Sequence, residues 1–279
     1  MASSAIPKIR PFKALTKWWA VYSVFFQDAL VYKANATIWL MTDTVPAILM
    51  PLIWLNSYNG RATIGGFTPS AMVVYYMVVL FLTCVVESHI MWDMNNDVKQ
   101  GKFNVYLTRP YSYMAYAYAS NLSWRLMRTI MFVPLFAVVL WLFHPWVRWN
   151  PQLYDFGWRF WLAVVLGHVV SFGLTYAMGL LSLYLVEARS VYNFYYLPLV
   201  IFSGQIAPLT FFPQWMLTLA RFLPFSYTLS LPAQIFIGHV HGRDVWMGYA
   251  GQLAWIAVSF SAAALLWRGG LKRYTAFGI

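Results

Sequence analysis

Residues 95–110 read NNDVKQGKFNVYLTRP, a short polar island between two long apolar runs. Its Lys99, Lys102 and Arg109 are basic. Val98, Phe103, Tyr106 and Leu107 recur at helical spacing once Gly101 is allowed as a bend, and Pro110 stops the helix. Such a stretch reads in two ways. It is a basic flank of a membrane helix, or it carries a small apolar face on which a partner protein docks. On the docking reading, Phe103 and Tyr106 are the anchors and the lysines sit on the rim.

The surroundings of the island set the class of protein. Hydrophobic residues make up 61% of the 279-residue chain and charged residues only 10%, against roughly 25% in a soluble domain. That deficit excludes an ordinary globular fold. Aromatic residues reach 20%, as expected where many helix ends sit in membrane interfaces. The net charge of +11 does not indicate nucleic acid, because the basic residues flank apolar runs instead of forming a patch of their own. The single cysteine, Cys84, lies inside an apolar run and excludes an intramolecular disulfide.

Moving outward toward the N-terminus, a span runs from about Ser70 to Trp92, with Glu87 and His89 near its end. A turn-rich loop with Asn59-Gly60 and Gly65-Gly66 precedes it. The first span covers about Asn35 to Asn56, is broken by Pro46 and Pro51, and carries Asp43. Residues 12–33 segregate Leu15, Trp18, Trp19, Tyr22 and Phe25 from Lys13, Lys17, Gln27 and Asp28. That is the pattern of a helix lying in the interface with its lysines toward lipid headgroups.

Toward the C-terminus a third span runs from about Ser120 to Phe143, entered through Arg125 and Arg128. A fourth covers about Trp158 to Val186, with small residues at Gly167, Ser171 and Thr175 and again at Gly173 and Ala177, a spacing that admits close helix approach. A turn at Glu187–Ser190 leads into a fifth span, about Val191 to Ala207. Residues 208–238 are apolar but interrupted by Pro208, Pro213, Pro224 and Pro232. Each piece is about half the roughly twenty residues needed to cross a bilayer, which predicts two short helices that enter the membrane and return. A last span covers about Val245 to Trp267. The expected fold is therefore an all-α integral membrane protein: an interfacial helix within residues 1–33, then a six-span unit over 34–279. That unit includes a loop at 94–118 and a re-entrant pair at 208–238. With both termini cytoplasmic, fourteen of the nineteen lysines and arginines fall inside, as the charge bias of membrane proteins requires.

The residues show no catalytic constellation and no Walker A pattern, so this chain has no such device for a nucleotide phosphate. His239, His241 and Asp244 read as a polar turn. Asp43 and Glu87 are acids within apolar spans and should face protein or water; they suit either a substrate path or hydrogen bonds between helices. Tyr192, Tyr195, Tyr196 and Phe202 suit a cavity lining or interfacial packing equally.

The Gly-Lys-Phe-x-x-Tyr-Leu-x-Arg-Pro pattern at 101–110, the preceding LVYKAN at 30–35 and the segment FSGQIAPLTFFPQWMLTLARFLPFSY at 202–227 together resemble the type-two exporter permeases of ATP-binding cassette transporters. Thr108 departs from the hydrophobic residue common before the Arg-Pro. The resemblance covers essentially the whole chain. It implies that Lys99, Gly101, Lys102, Phe103, Tyr106, Leu107, Arg109 and Pro110 lie in a loop that couples to an ATPase on another chain. It further implies a path between two permeases, same or sister, lined here by Asp43, Glu87, Tyr192, Tyr195, Tyr196 and Phe202. Pro208, Pro213, Trp215 and Pro224 would form an external cap. ATP and Mg are expected on the partner ATPase and no cofactor on this chain, the membrane being a bacterial inner membrane. The expected cargo is a hydrophobic or cationic compound. An ion-coupled carrier using Asp43 and Glu87, or a non-transporting anchor or immunity protein, is the alternative.

Overall fold

The computed structural model describes residues 19, 23, 24, 27, 33–147, 154–185 and 187–274. Of the expected interfacial helix, Trp19, Ser23, Val24 and Gln27 are described and helical; the rest of that segment before Lys33 lies outside the described residues. Among the described residues the secondary structure is helical, without strands.

Helix α1 spans Lys33–Ser57 and carries Pro46 and Pro51 within it. Helix α2, Pro69–Val85, starts where Thr68 accepts the Ala71 N–H and proline occupies the first helical position, where its missing N–H costs nothing. Helix α3 follows at Ile90–Lys99, α4 at Lys102–Leu107 and α5 at Tyr113–Phe143. Ser112 caps α5 by accepting from Ala115. Helix α6, Trp158–Gly179, tightens into a 3-10 turn over Leu180–Leu183. Helices α7 (Arg189–Phe202), α8 (Gln214–Phe222), α9 (Ser230–Phe236) and α10 (Arg243–Arg273) complete the chain.

Among the described residues, four stretches are long and apolar enough to cross a membrane: Pro69–Lys99 counted through its interruption, Tyr113–Phe143, Trp158–Leu183 and Arg243–Arg273. Two of the six expected spans fall short of that standard. In α1 the apolar part is Thr44–Ser57, and α7 has 14 residues against the roughly twenty that a straight crossing needs. The expected second span ends at Trp92 in the sequence reading. In the structure it continues to Lys99, but with non-helical backbone between Val85 and Ile90. The polar triplet Glu87-Ser88-His89 marks that break. The proline-interrupted segment forms two short helices, α8 and α9. Pro213 precedes α8, and Pro232 sits in the first turn of α9, where proline is tolerated.

Helix α6 is central. It packs along α10, against α3 near one end and against α9 near the other. Its small residues permit this. A Cβ on Gly173 would come within 2.4 Å of Ser259 Oγ on α10, and one on Gly167 within 2.9 Å of the Thr228 carbonyl. The apolar core has three main parts. Phe67, Tyr75, Phe160, Phe236 and Tyr249 fill the end near α9. Ile90, Met94, Val98, Phe103, Phe172 and Tyr176 fill the end near α3 and α4. Val73, Met77, Phe132 and Phe143 join α1, α2 and α5.

The turn after α7 is held unusually closely. Gly204 adopts φ +87°, and its hypothetical Cβ would meet Tyr75 Oη at 2.3 Å. Any other residue carries both the left-handed strain and a contact with a buried phenol. Gly204→Ala should therefore lower unfolding stability by roughly 1–3 kcal/mol, read as a lower melting midpoint in detergent. An unchanged midpoint would show that this turn does not hold α7 in place.

Candidate functional site

Two places gather the residues singled out by the sequence. One is the turn at 99–110; the other is the seam between the broken second span and α7.

In the turn, Gly101 at φ +70° lets the chain reverse between α3 and α4. The Gly101 N–H donates to the Val98 carbonyl at 3.2 Å, and the Gln100 N–H to Asn96 at 2.9 Å. The reversal decides which way α4 faces. Phe103, expected to meet a partner, is 1% exposed. Its ring packs edge-on against Tyr113 at 4.8 Å, Tyr274 at 5.1 Å and Trp267 at 5.9 Å. Val98 is buried beside it. Tyr106 is half-buried, lies 4.1 Å from the ring of Tyr116 and accepts the Tyr116 hydroxyl; desolvation raises the phenol pKa of Tyr106. The proposed face of four thus divides. Val98, Phe103 and Tyr106 buttress α4 from within, because Tyr113 and Tyr116 of α5, Trp267 of α10 and Tyr274 just beyond it cover that side. Leu107 points outward at 42% exposure, joined by Val105 at 51%. Lys102, Arg109 and Pro110 are exposed around them.

At the seam, the break at 86–89 is stitched by side chains from its neighbours. The buried Arg125 guanidinium donates to the Thr83 and Cys84 carbonyls, both at 3.0 Å, and approaches His89 Nδ1 at 3.4 Å. The Ser88 N–H donates to Ser171 Oγ at 2.8 Å. The Ser88 hydroxyl donates to Asn121 Oδ1 at 3.1 Å, and His168 Nδ1 lies 3.1 Å from the Val86 carbonyl. Glu87 is buried and accepts from the side-chain amide of Gln205. Arg125 acts on Glu87 electrostatically, but among the described residues they make no ion pair at contact distance.

Helix α7 lies alongside. The Trp92 indole N–H donates to Tyr196 Oη at 3.1 Å, and its ring meets that of Tyr192 edge-on at 5.2 Å. Tyr192 is fully buried against Met91 and Ala188. Tyr195 packs on Phe225 at 5.4 Å, and Phe202 is half-buried. The structure therefore brings Glu87, Tyr192, Tyr195 and Tyr196 to one seam. Asp43 lies in α1, and its side chain is outside the described residues. At the far end from Glu87, Lys99 Nζ donates to Glu187 Oε2 at 2.7 Å and Arg189 Nη2 to Asn96 Oδ1 at 2.8 Å. The Lys99 hydrogen bond holds the Glu187 carboxyl below the usual carboxylate range. The pair is thus intact at neutral pH and lost only as pH falls through that lowered value.

Pro208 and Pro224 are buried, whereas Pro213 and Trp215 are exposed, Trp215 at 66%. They do not form one cluster.

Sequence reasoning missed Gln205, Tyr75 and Tyr76, whose hydroxyls donate to Gly204 at 2.9 Å and Ile206 at 2.6 Å. A glutamine within an apolar run was the available signal for the first. The Lys99–Glu187 pair joins residues 88 positions apart and left no local signal.

A family model described as ABC-2 family transporter protein matches residues 44–278. No curated protein matches the chain at a significant level.

The division of the turn has a measurable consequence. Phe103→Ala should cost roughly 3–5 kcal/mol of stability through the cavity left among Tyr113, Trp267 and Tyr274. Leu107→Ala should stay within roughly 0.5 kcal/mol of the parent. Unfolding followed by tryptophan fluorescence distinguishes them, and equal effects of the two changes would mean that Phe103 is not a core residue.

Proposed function

The chain belongs to the ABC-2 transporter family, a family of membrane subunits, and on that premise we propose that it is the permease of an exporter driven by ATPases on separate chains. The observation that carries the reading is α4. It is a six-residue helix in which Val105 and Leu107 are exposed, on different sides, while Phe103 is buried among aromatic rings. A docking element that transmits force must be held rigidly by its own chain and still offer apolar side chains, and α4 has both properties.

On this reading, Lys99–Pro110 is the coupling loop and faces the cytoplasm with both termini, in a bacterial inner membrane. Six crossings are completed by α1 and α7, each shorter than a straight span over its apolar length and assisted by tilt or local thinning of the bilayer. Helices α8 and α9 enter the outer leaflet and return, with Pro208, Pro213, Trp215 and Pro224 in the cap. Their non-helical joints require protein or water around them, and the buried Pro208, Pro224 and Phe225 support that placement. A second permease, the same chain or a sister, closes the path.

The path runs along α7 and the broken second span, past Tyr192, Tyr195, Tyr196, Phe202 and Glu87. ATP and Mg bind the partner ATPases. Their closure pushes α4, and the path alternates between inward and outward access. The aromatic lining suits a hydrophobic cargo. A cationic one would be drawn by ring faces and by Glu87, against the opposing field of the buried Arg125. The basic flanks hold the protein among anionic headgroups.

The docking role is tested by the residues that face outward. In a chain carrying both Val105→Ala and Leu107→Ala, association with the co-expressed ATPase should weaken by about tenfold or more, the effect of losing interface anchors worth roughly 2 kcal/mol. Pull-down of the ATPase by equal amounts of membrane-inserted chain measures it. Full recovery together with undiminished ATP-driven export would contradict the docking role.

A further inference from the structure

Helix α7 is fastened unevenly at its two ends. Beyond Phe202, buried and partly buried bonds converge on three residues: Tyr75 donates to the Gly204 carbonyl at 2.9 Å, Tyr76 to that of Ile206 at 2.6 Å, and Gln205 to Glu87. At the opposite end the ties are Lys99 to Glu187 and Arg189 to Asn96. The side chains of Lys99 and Glu187 are 38% and 54% exposed. Buried bonds persist because their partners have no water to turn to. Exposed ion pairs are weak and yield to salt.

Between its ends α7 packs on α3 through one face, with Tyr196 accepting from Trp92 and Tyr192 set against Met91. Tyr192 and Leu199 are its buried residues, while Phe194 is 82% exposed. A helix tied through buried phenols at one end and through an exposed ion pair at the other opens first where the tie yields to water and salt. That end also adjoins the docking element, since Lys99 is the last residue of α3 and lies two positions before Gly101, where the chain turns into α4.

We propose that α7 is a gate helix that pivots on the Ser203–Ile206 turn and opens at Glu187, with the Lys99–Glu187 ion pair as its latch. The proposal rests on the permease reading above and adds the regulation of its path. A partner pressing on α4 displaces Lys99, Glu187 is released, and the seam that contains Tyr192 and Tyr196 opens from the cytoplasmic side. Arg189 and Asn96 restrain the same end and set how far it opens.

Ala188 reports the latch. It is fully buried against Met91 and Tyr192, so a cysteine there reacts only when α7 lifts away from α3. In the full chain purified in detergent, with the buried Cys84 changed to Ala and Ala188→Cys introduced, the rate of modification by a charged maleimide is measured. Adding Lys99→Glu should raise the rate about two- to fivefold, the range expected for loss of one exposed pair. Lys99→Glu combined with Glu187→Lys should return it to the parent rate. Lys99→Gln gives a milder variant that keeps the size of the side chain, and salt of about 1 M should accelerate the parent but not Lys99→Gln. A rate indifferent to both Lys99 variants, or a charge swap that fails to restore it, would overturn the latch. No ATPase is present in this measurement, so failure of the permease reading shows separately, in the pull-down with the Val105 and Leu107 variants.

Discussion

Backbone N–H and C=O groups within a hydrocarbon layer must find partners inside the protein, and the second long helix of this chain ceases to be helical between Val85 and Ile90. The bonds that meet this demand arrange much of the bundle. Arg125 comes from α5 to the Thr83 and Cys84 carbonyls, Ser171 from α6 accepts the Ser88 N–H, and His168 from α6 reaches Val86. Helices α5 and α6 are therefore positioned by the break as much as by apolar packing. The small residues of α6 then allow α10 and the Thr228 turn to close against its other sides. A buried guanidinium is costly unless its donors are engaged; here two of its bonds go to carbonyls that the interruption of the helix sets free.

The break also links the two candidate regions. Past it, α3 runs to Lys99 and into the turn at Gly101, with Ile90, Met94 and Val98 packed on α6. The other side of α3 offers Met91 and Trp92 to α7. One short helix thus carries the Gly101 turn at its tip, α7 on its flank and Glu87 at its root. On the docking role proposed for α4, a force applied there would have a continuous packed route to the aromatic seam, backed by the aromatic cluster around Phe103.

The long spans were legible because a bilayer demands about twenty apolar residues in succession, and the proline spacing at 208–238 was enough to predict two short helices. The bend at Gly101 was legible too. What could not be read was the direction in which α4 faces. Periodicity says which residues share a side of a helix, not which neighbour covers it, and Tyr113, Trp267 and Tyr274 reach Phe103 from as far as 171 positions away. Glu87 looked like the end of a span because a polar triplet within an apolar run marks an end or a break equally well, and only the arrival of Arg125 and Ser171 distinguishes them. The short α7 was overestimated by counting apolar residues through Ser203-Gly204, where a left-handed glycine ends the helix.

Replacement of Arg125 by methionine tests most directly whether the side chains that satisfy the Val86–His89 break hold the bundle together. Methionine keeps much of the volume and removes the donors to two buried carbonyls. The expected result is a loss of roughly 3 kcal/mol or more in unfolding stability, accompanied by faster hydrogen exchange at the Ser88 amide. Arg125→Lys, which supplies one donor group in place of a fork, should fall between the two. A methionine variant as stable as the parent, with Ser88 equally protected, would contradict that role for these side chains.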